Sequence, residues 1–435
     1  MEELGENMAK EKNSALDDLI NSEFTMMKDL SKEDLNTKEW LSTGNYALNY
    51  IASKNFRQGI PVGQISAFYG SSGTGKSMLP AIIAKDPKLT RVLVMDSEGG
   101  GTGTSLFKFV GAPLEKVKYM TVQTLDSYRV NKENGKIEEV NDKDVPAGKL
   151  ETPTYEYHMG LNLILKKILY ALEYSKADEK ILIIVDSLSN MKSVRAGLLG
   201  GQDMGLTNKL LNALFSSLDN VLANTNTTLV FANKVYTDLS PMGAYNPEGI
   251  ISGGTSVIYN PSLMIGLTAL QDNPELADAD IKGEKERRKT GLGNSLKTIR
   301  ARVKKSRFGT EGRNAFVILD SSYGLTRNSG LFQLLCDFGV CIKSGSRYTI
   351  PGVITNEKGE DVSFYKKDFP EIFAKNEDKY IDLLQPIMEA KEEEIKQQRL
   401  NLNVNDMDEV KEESEESSMF DMARAMEAEN ENVED

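Results

Sequence analysis

The sequence is poor in the residues that hold small folds together by metals or disulfides. Its 435 residues include one histidine, His158, and two cysteines, Cys336 and Cys341. So few nitrogen and sulfur ligands argue against a structural zinc. Two neighbouring thiols without a second cluster fit a reduced interior better than a disulfide-built secreted domain. His158 reads as a surface or packing residue. No apolar run approaches the roughly 18 residues of a membrane span, and acidic side chains begin at the second position, where a signal peptide would be basic. No membrane partner is expected. The expected location is the cytoplasm, that of a host cell if the gene is a phage's.

Hydrophobic residues at 40% and charged residues at 27% are ordinary for a chain able to fold around its own core. The acidic balance is not: 52 basic against 65 acidic side chains leave a net charge of −13. Residues 391–435 carry sixteen acidic and five basic side chains, a net of −11, so the first 390 residues hold only −2. The body can therefore carry a basic groove although the sum is negative.

Residues 1–41 are charged, with apolar positions (Leu16, Leu19, Ile20, Phe24) spaced for a small amphipathic helix, and read as a packing arm. From residue 42 to 325 apolar runs alternate with helical spacing. Strands are expected at Ile65–Tyr69, Arg91–Asp96, Ile181–Val185, Thr228–Ala232, Leu263–Gly266, Lys297–Val303 and Ala315–Leu319. Helices are expected at Leu161–Tyr174 and Leu206–Val221. Wholly apolar strands are buried on both faces, which predicts an α/β fold with a mostly parallel central sheet covered by helices. Residues 121–155 are polar with little periodicity and read as an insertion. Residues 326–390 read as a small mixed C-terminal region, and 391–435 as a flexible acidic tail.

The strongest local signal is Gly70-Ser71-Ser72-Gly73-Thr74-Gly75-Lys76-Ser77, a Walker A pattern directly after an apolar strand. Its glycines let backbone amides face phosphate oxygens, and the following helix adds its positive end. Lys76 is placed to reach the β and γ phosphates of ATP, and Ser77 offers a hydroxyl to Mg2+. Asp186 closes the Ile181–Val185 run and fits the second magnesium-shell position, directly or through water. Glu98, two residues past a strand end, is placed to orient the attacking water. Asp96 competes for that role, and spacing alone leaves both as candidates. Asn233 and Lys234 end another buried strand and are candidates to sense the γ phosphate.

This ordered set resembles the RecA-like recombinases, particularly the T4-like phage UvsX branch. The resemblance rests on Gly59-Ile-Pro-Val-Gly63, Gly70–Ser77, Met95-Asp-Ser-Glu98, Val185-Asp-Ser187, Asp203-Met-Gly-Leu206, Phe231-Ala-Asn-Lys234, Ser252-Gly-Gly-Thr255 and Val303-Lys-Lys-Ser-Arg307, and covers about residues 42–325. It implies a RecA-type core, a homo-oligomeric helical filament on DNA, and ATP bound between neighbouring subunits. It gives Glu98 the catalytic carboxylate role. It makes Lys305 and Arg307 a basic pair that reaches the neighbour's phosphates, with Lys304 as a substitute if the alignment slips.

Two DNA-facing loops are implied at residues 191–204 and 234–255. They bring Lys192, Arg195, Lys234, Gly253, Gly254 and Thr255 to a sugar-phosphate backbone, with Tyr236 and Tyr245 available to stack on bases. The expected partners are single-stranded and duplex DNA, a recombination mediator and a single-stranded-DNA-binding protein. Lys234 departs from the family's glutamine, or the phage branch's histidine, and would meet phosphate as a point charge. The acidic tail serves either to compete with DNA for basic surface or to keep the chain soluble. A RecA-core replicative helicase and a non-catalytic DNA-binding filament or adaptor are the rival functions.

Overall fold

The structure is a computed structural model that describes residues 39–99, 103–175, 179–201, 205–236, 249–270, 296–320 and 324–398. The chain divides into Met1–Trp40 and Leu41–Asp435. All but two residues of the first unit, and with them nearly all of the proposed arm, lie outside the described residues, as do Tyr245 and residues 399–435.

In the second unit, α1 (Tyr46–Ser53) precedes β1 (Ile65–Gly70), α2 (Met78–Ile83), β2 (Arg91–Asp96), α3 (Thr104–Val110) and β3 (Val117–Thr121). Short strands β4 (Tyr128–Asn131), β5 (Ile137–Glu139) and β6 (Tyr155–His158) lead into α4 (Leu161–Ser175) and β7 (Ile181–Asp186). Then come α5 (Leu206–Asn224), β8 (Thr227–Tyr236), β9 (Ile250–Ile251), α6 (Ser256–Tyr259) and β10 (Leu263–Ala269). The chain continues through β11 (Leu296–Ser306), β12 (Asn314–Asp320), β13 (Gly324–Leu325), α7 (Leu331–Asp337) and α8 (Phe369–Ala374), and through a helix over residues 377–398, here α9.

Among the described residues the central sheet has ten strands in the order β13-β12-β11-β10-β1-β8-β7-β2-β3, with β9 paired to β8. From β10 to β3 every neighbouring pair is parallel, and the β11 to β13 side is antiparallel. The fold is thus mixed α/β with a largely parallel sheet, consistent with a RecA-type core. Alternation within the apolar strands supplies two cores. Phe68, Val94, Leu182, Ile184 and Val230 face α1, α2 and α7, whereas Ala67, Ile183, Val185, Leu229 and Phe231 face α4 and α5. Burial on both faces is why these strands carry no polar alternation.

The 121–155 segment forms its own three-stranded sheet in the order β5-β4-β6. Polar and aromatic cross-strand contacts hold it together with a small apolar cluster in which Val140, Val145, Leu150 and Tyr157 meet Leu163 of α4, too few and too scattered in sequence to give a periodic signal. Arg129 pairs with Glu138 at 2.7 Å and lies over the Tyr155 ring at 4.0 Å. His158, a packing residue, stacks on Tyr128 at 4.5 Å.

The residues after 325 pack into the same apolar cluster as α1 and α2. Asn45 caps α1 by accepting from the Leu48 amide at 2.8 Å, and its amide donates to the carbonyls of Thr326 and Ser329. Helix α9 runs past residue 390, where the sequence suggested a tail begins. Glu392 explains this. It takes both guanidinium nitrogens of Arg313 and accepts from the Tyr50 hydroxyl at 2.8 Å.

Burial works to raise the Glu392 pKa, but Arg313, Tyr50 and Lys54 together outweigh it and hold the carboxyl below its ordinary 4.5. A depressed folded-state pKa adds stability that is complete above 4.5 and is lost as pH falls through the folded value. Glu392→Ala is expected to lower unfolding stability by about 2 kcal/mol, measured by urea denaturation. Glu392→Gln should flatten the acid limb of the stability–pH curve.

Candidate active site

Register builds the site. Lys234 on β8 lies beside Gly70 on β1, Phe231 beside Val185 on β7, and Asp96 on β2 beside Asp186. The carboxyl ends of the four strands therefore open on one cleft of about 620 Å³, the usual ligand position in open parallel sheets. Gly70–Gly73 and Gly75–Ser77 line it with Glu98, Asp186, Lys234 and Tyr236. A Cβ on Gly70 would lie 2.2 Å from the Leu267 carbonyl oxygen of β10, so only glycine lets the loop leave the sheet there. Gly75 holds a φ of +92°. Thr74 points away from the cleft and closes the loop internally, donating to the Ser71 carbonyl at 2.9 Å. Lys76 folds over its own loop, with Nζ 2.6 Å from the same carbonyl. Helix α2 has six residues, so the expected helix-end contribution comes from little more than one turn.

The three polar residues after Met95 divide their work. Asp96, fully buried, accepts from the Glu98 amide at 2.7 Å, the Gly99 amide at 3.2 Å and the Tyr119 hydroxyl at 2.7 Å. Ser97 stitches β2 to β7: its amide donates to the Asp186 carbonyl at 2.8 Å. Its hydroxyl donates to the Ser187 carbonyl at 2.8 Å and accepts from the Ser187 amide at 2.9 Å. Glu98 alone of the three lines the cleft. Of the two candidate carboxylates, Asp96 shapes the turn that presents Glu98.

Burial raises the Asp186 pKa; Ser77 and Lys76 oppose this, while Glu98 and Asp96 add to it. Burial lowers the Lys76 pKa, and Asp186 partly restores it. Each charge is thus costly while its partner is weak, and both are positioned to gain from a charged ligand. Ser77 and Asp186 both line the cleft at the loop end, where they offer two hard oxygens. Among the described residues no group of three or more His, Cys, Asp or Glu is placed to hold a metal. Ser77 and Asp186 fit part of a Mg2+ shell, whose remaining ligands would be phosphate oxygens and water.

Lys234 pairs with Glu98 at 2.7 Å. Its strand neighbour Asn233 faces the other way and donates to the Ser252 carbonyl, so Asn233 meets the base of the glycine loop and not the cleft. Two residues that sequence reasoning did not single out join the site. Asn190, just after β7, donates to Glu98 Oε1 at 2.8 Å and accepts from Lys234 at 3.1 Å. Lys297 on β11 lines the cleft with Nζ 3.4 Å from the Gly73 carbonyl oxygen. Neither belongs to a spaced motif, so no local signal marked them.

The implied loop residues lie around the first turn of α5. Ser193 donates its amide to the Thr207 hydroxyl at 3.4 Å, and Gly254 abuts Asn208 closely enough that a Cβ would lie 2.7 Å away. Gly253 and Gly254 have φ of +99° and +73°, and Thr255 precedes α6. Lys192 is exposed and is tied by its carbonyl to the Leu125 amide at 3.0 Å. Arg195, in the helical turn Val194–Gly197, pairs with Glu139 of β5 at 3.4 Å. Tyr236 is 58% exposed on the rim of the cleft. Lys305 and Arg307 lie outside the cleft lining. Lys305 donates to the carbonyls of Ile258 and Tyr259 at the end of α6, and Arg307 is exposed. Among the described residues no helix is long and apolar enough to cross a membrane.

Lys297→Ala should weaken binding of a fluorescent ATP analogue about threefold to tenfold, the scale of one charge-assisted contact. Asp96→Asn should leave binding nearly intact and lower turnover, because it disturbs the turn and not the phosphate loop.

No family model matches the chain. It is similar to Protein RecA of Corynebacterium diphtheriae, 26% identical over 200 residues, covering 46% of this chain and 49% of the relative. Protein RecA of Streptococcus mutans is 24% identical over 194 residues, 44% of this chain and 47% of the relative. That of Desulforapulum autotrophicum is 25% identical over 197 residues, 44% and 51%. The chain spans about half the length of the curated relatives it matches. Similarity at about a quarter identity over under half of the chain, together with the parallel sheet and its phosphate loop, supports a RecA-like family.

Proposed function

We propose that this chain is an ATP-dependent recombinase of the phage UvsX type, acting in a host-cell cytoplasm. It polymerises as a helical filament on single-stranded DNA, aligns that strand with duplex DNA and promotes homologous strand exchange. The observation that carries the reading is the convergence of Lys76, Asp186, Glu98 and Lys234 in one cleft, with the second loop's Ser252 bonded to the strand that carries Lys234. Nucleotide state and DNA contact then share β8.

In the cleft, loop amides and Lys76 hold the ATP phosphates, and Ser77 and Asp186 hold Mg2+, which supplies positive charge to the phosphate oxygens. Glu98 accepts a proton from water as the water oxygen bonds the γ phosphorus. The bond to the bridging oxygen breaks, and ADP leaves with that electron pair. Lys305 and Arg307 act on the neighbouring subunit's phosphates, which ties hydrolysis to assembly. Lys192, Arg195, Tyr236, Gly253, Gly254 and Thr255 face DNA, with Tyr245 from outside the described residues, whereas Lys234, also expected there, turns its side chain into the cleft. A mediator and a single-stranded-DNA-binding protein are the proposed helpers.

The test is joint-molecule formation between homologous single-stranded and duplex DNA with ATP, in wild type, Lys76→Ala and Glu98→Gln. Lys76→Ala should lose joint molecules; Glu98→Gln should lose turnover while keeping ATP-dependent assembly. Closed hexamers would instead favour the helicase, and DNA binding without exchange, helpers supplied, the adaptor. Arg195→Ala should also lower the salt slope of single-stranded-DNA binding by about 0.7, the value of one phosphate contact.

A further inference from the structure

Three strand ends contribute one side chain each to a closed triangle. Lys234 Nζ lies 2.7 Å from Glu98 Oε1, Asn190 Nδ2 donates to that same oxygen at 2.8 Å, and Asn190 Oδ1 accepts from Lys234 at 3.1 Å. The side chains of Lys234 and Glu98 are 43% and 37% exposed, and both residues line the cleft, so a phosphate can reach the lysine. Both groups that a hydrolytic site needs are thus occupied with each other. A carboxylate accepting from an ammonium and an amide is a weak base, and a lysine already neutralised is a weak phosphate ligand. The Lys234 hydrogen bond, above all, holds the Glu98 pKa below its ordinary range, against the effect of burial.

We propose that Asn190 is a positioning residue that holds Glu98 and Lys234 together in the resting cleft, and that a terminal phosphate frees Glu98 by replacing it as the partner of Lys234. The inference rests on the ATPase reading of the cleft. It makes the lysine both the restraint on the base and the γ-phosphate ligand, so that hydrolysis without a correctly seated terminal phosphate is suppressed. The exposed pair restrains modestly, by about twofold to fivefold, the range of a solvent-exposed ion pair.

Full-length wild type, Glu98→Gln, Lys234→Gln and the double variant are titrated with ATPγS and with ADP. Glu98→Gln should tighten ATPγS about twofold to fivefold and leave ADP unchanged. That gain should vanish in the Lys234→Gln background, as the coupling of a direct pair requires. Persistence there would mean plain charge repulsion between Glu98 and phosphate, and would overturn the proposal. Asn190→Ala should raise DNA-free ATP turnover about twofold to fivefold without raising KM. A fall in turnover, or no change, would make Asn190 ordinary support for the site and would also overturn it. Wild type that bound no ATPγS would overturn this inference together with the reading beneath it, whereas normal binding and hydrolysis with uncoupled variants would remove this inference alone.

Discussion

The in-register parallel pairing of β1, β8, β7 and β2 is the constraint on which the cleft depends. Backbone hydrogen bonds set Lys234 beside Gly70 and Asp96 beside Asp186, and apolar side chains on both faces keep the strands from slipping. Ile183 and Val185 are fully buried on one face, Leu182 and Ile184 on the other. A slip by one residue would exchange those faces and expose two cores at once. The polar residues at the strand ends thus inherit their positions from apolar residues several steps back along the chain.

Given that framework, the polar groups are arranged so that few of them act alone. Asp96 is withdrawn from solvent and survives as a buried carboxylate because two amides and a phenol surround it. Ser97 fastens one strand end to the next. Only Glu98 is left to face the cleft, at the end of a turn whose shape its two predecessors determine. Lys76 and Asp186 pay for their burial with shifted proton affinities in opposite directions, so each would gain from a charged ligand in the cleft.

Much of this was legible in the amino-acid order because the signals were local. Apolar runs marked β1, β2, β7, β8, β10, β11 and β12, helical spacing marked α4 and α5, and the glycine-rich octet marked the phosphate loop. What could not be read came from contacts distant in sequence. Asn190 and Lys297 reach the cleft from segments with no motif, and spacing could not separate Asp96 from Glu98, since both follow the same strand. The β5-β4-β6 sheet escaped because rings, ion pairs and a few scattered apolar residues hold it. The 390 boundary failed because Glu392 reads as one glutamate in an acidic run until Arg313, seventy-nine positions earlier, is seen to bind it.

The two adjacent residues Asn233 and Lys234 sit on opposite sides of β8, one bonded to the glycine loop and the other to the Glu98 carboxylate in the cleft. This gives the strand a fixed length in evolutionary terms. Deleting one residue between Thr227 and Asn233 would turn the amide toward the cleft and the ammonium toward a carbonyl, reversing both connections while leaving the composition nearly unchanged. The 121–155 segment carries no such parity. Length variation among relatives should therefore collect in the β5-β4-β6 sheet and be absent from β8, even where individual residues of that strand differ.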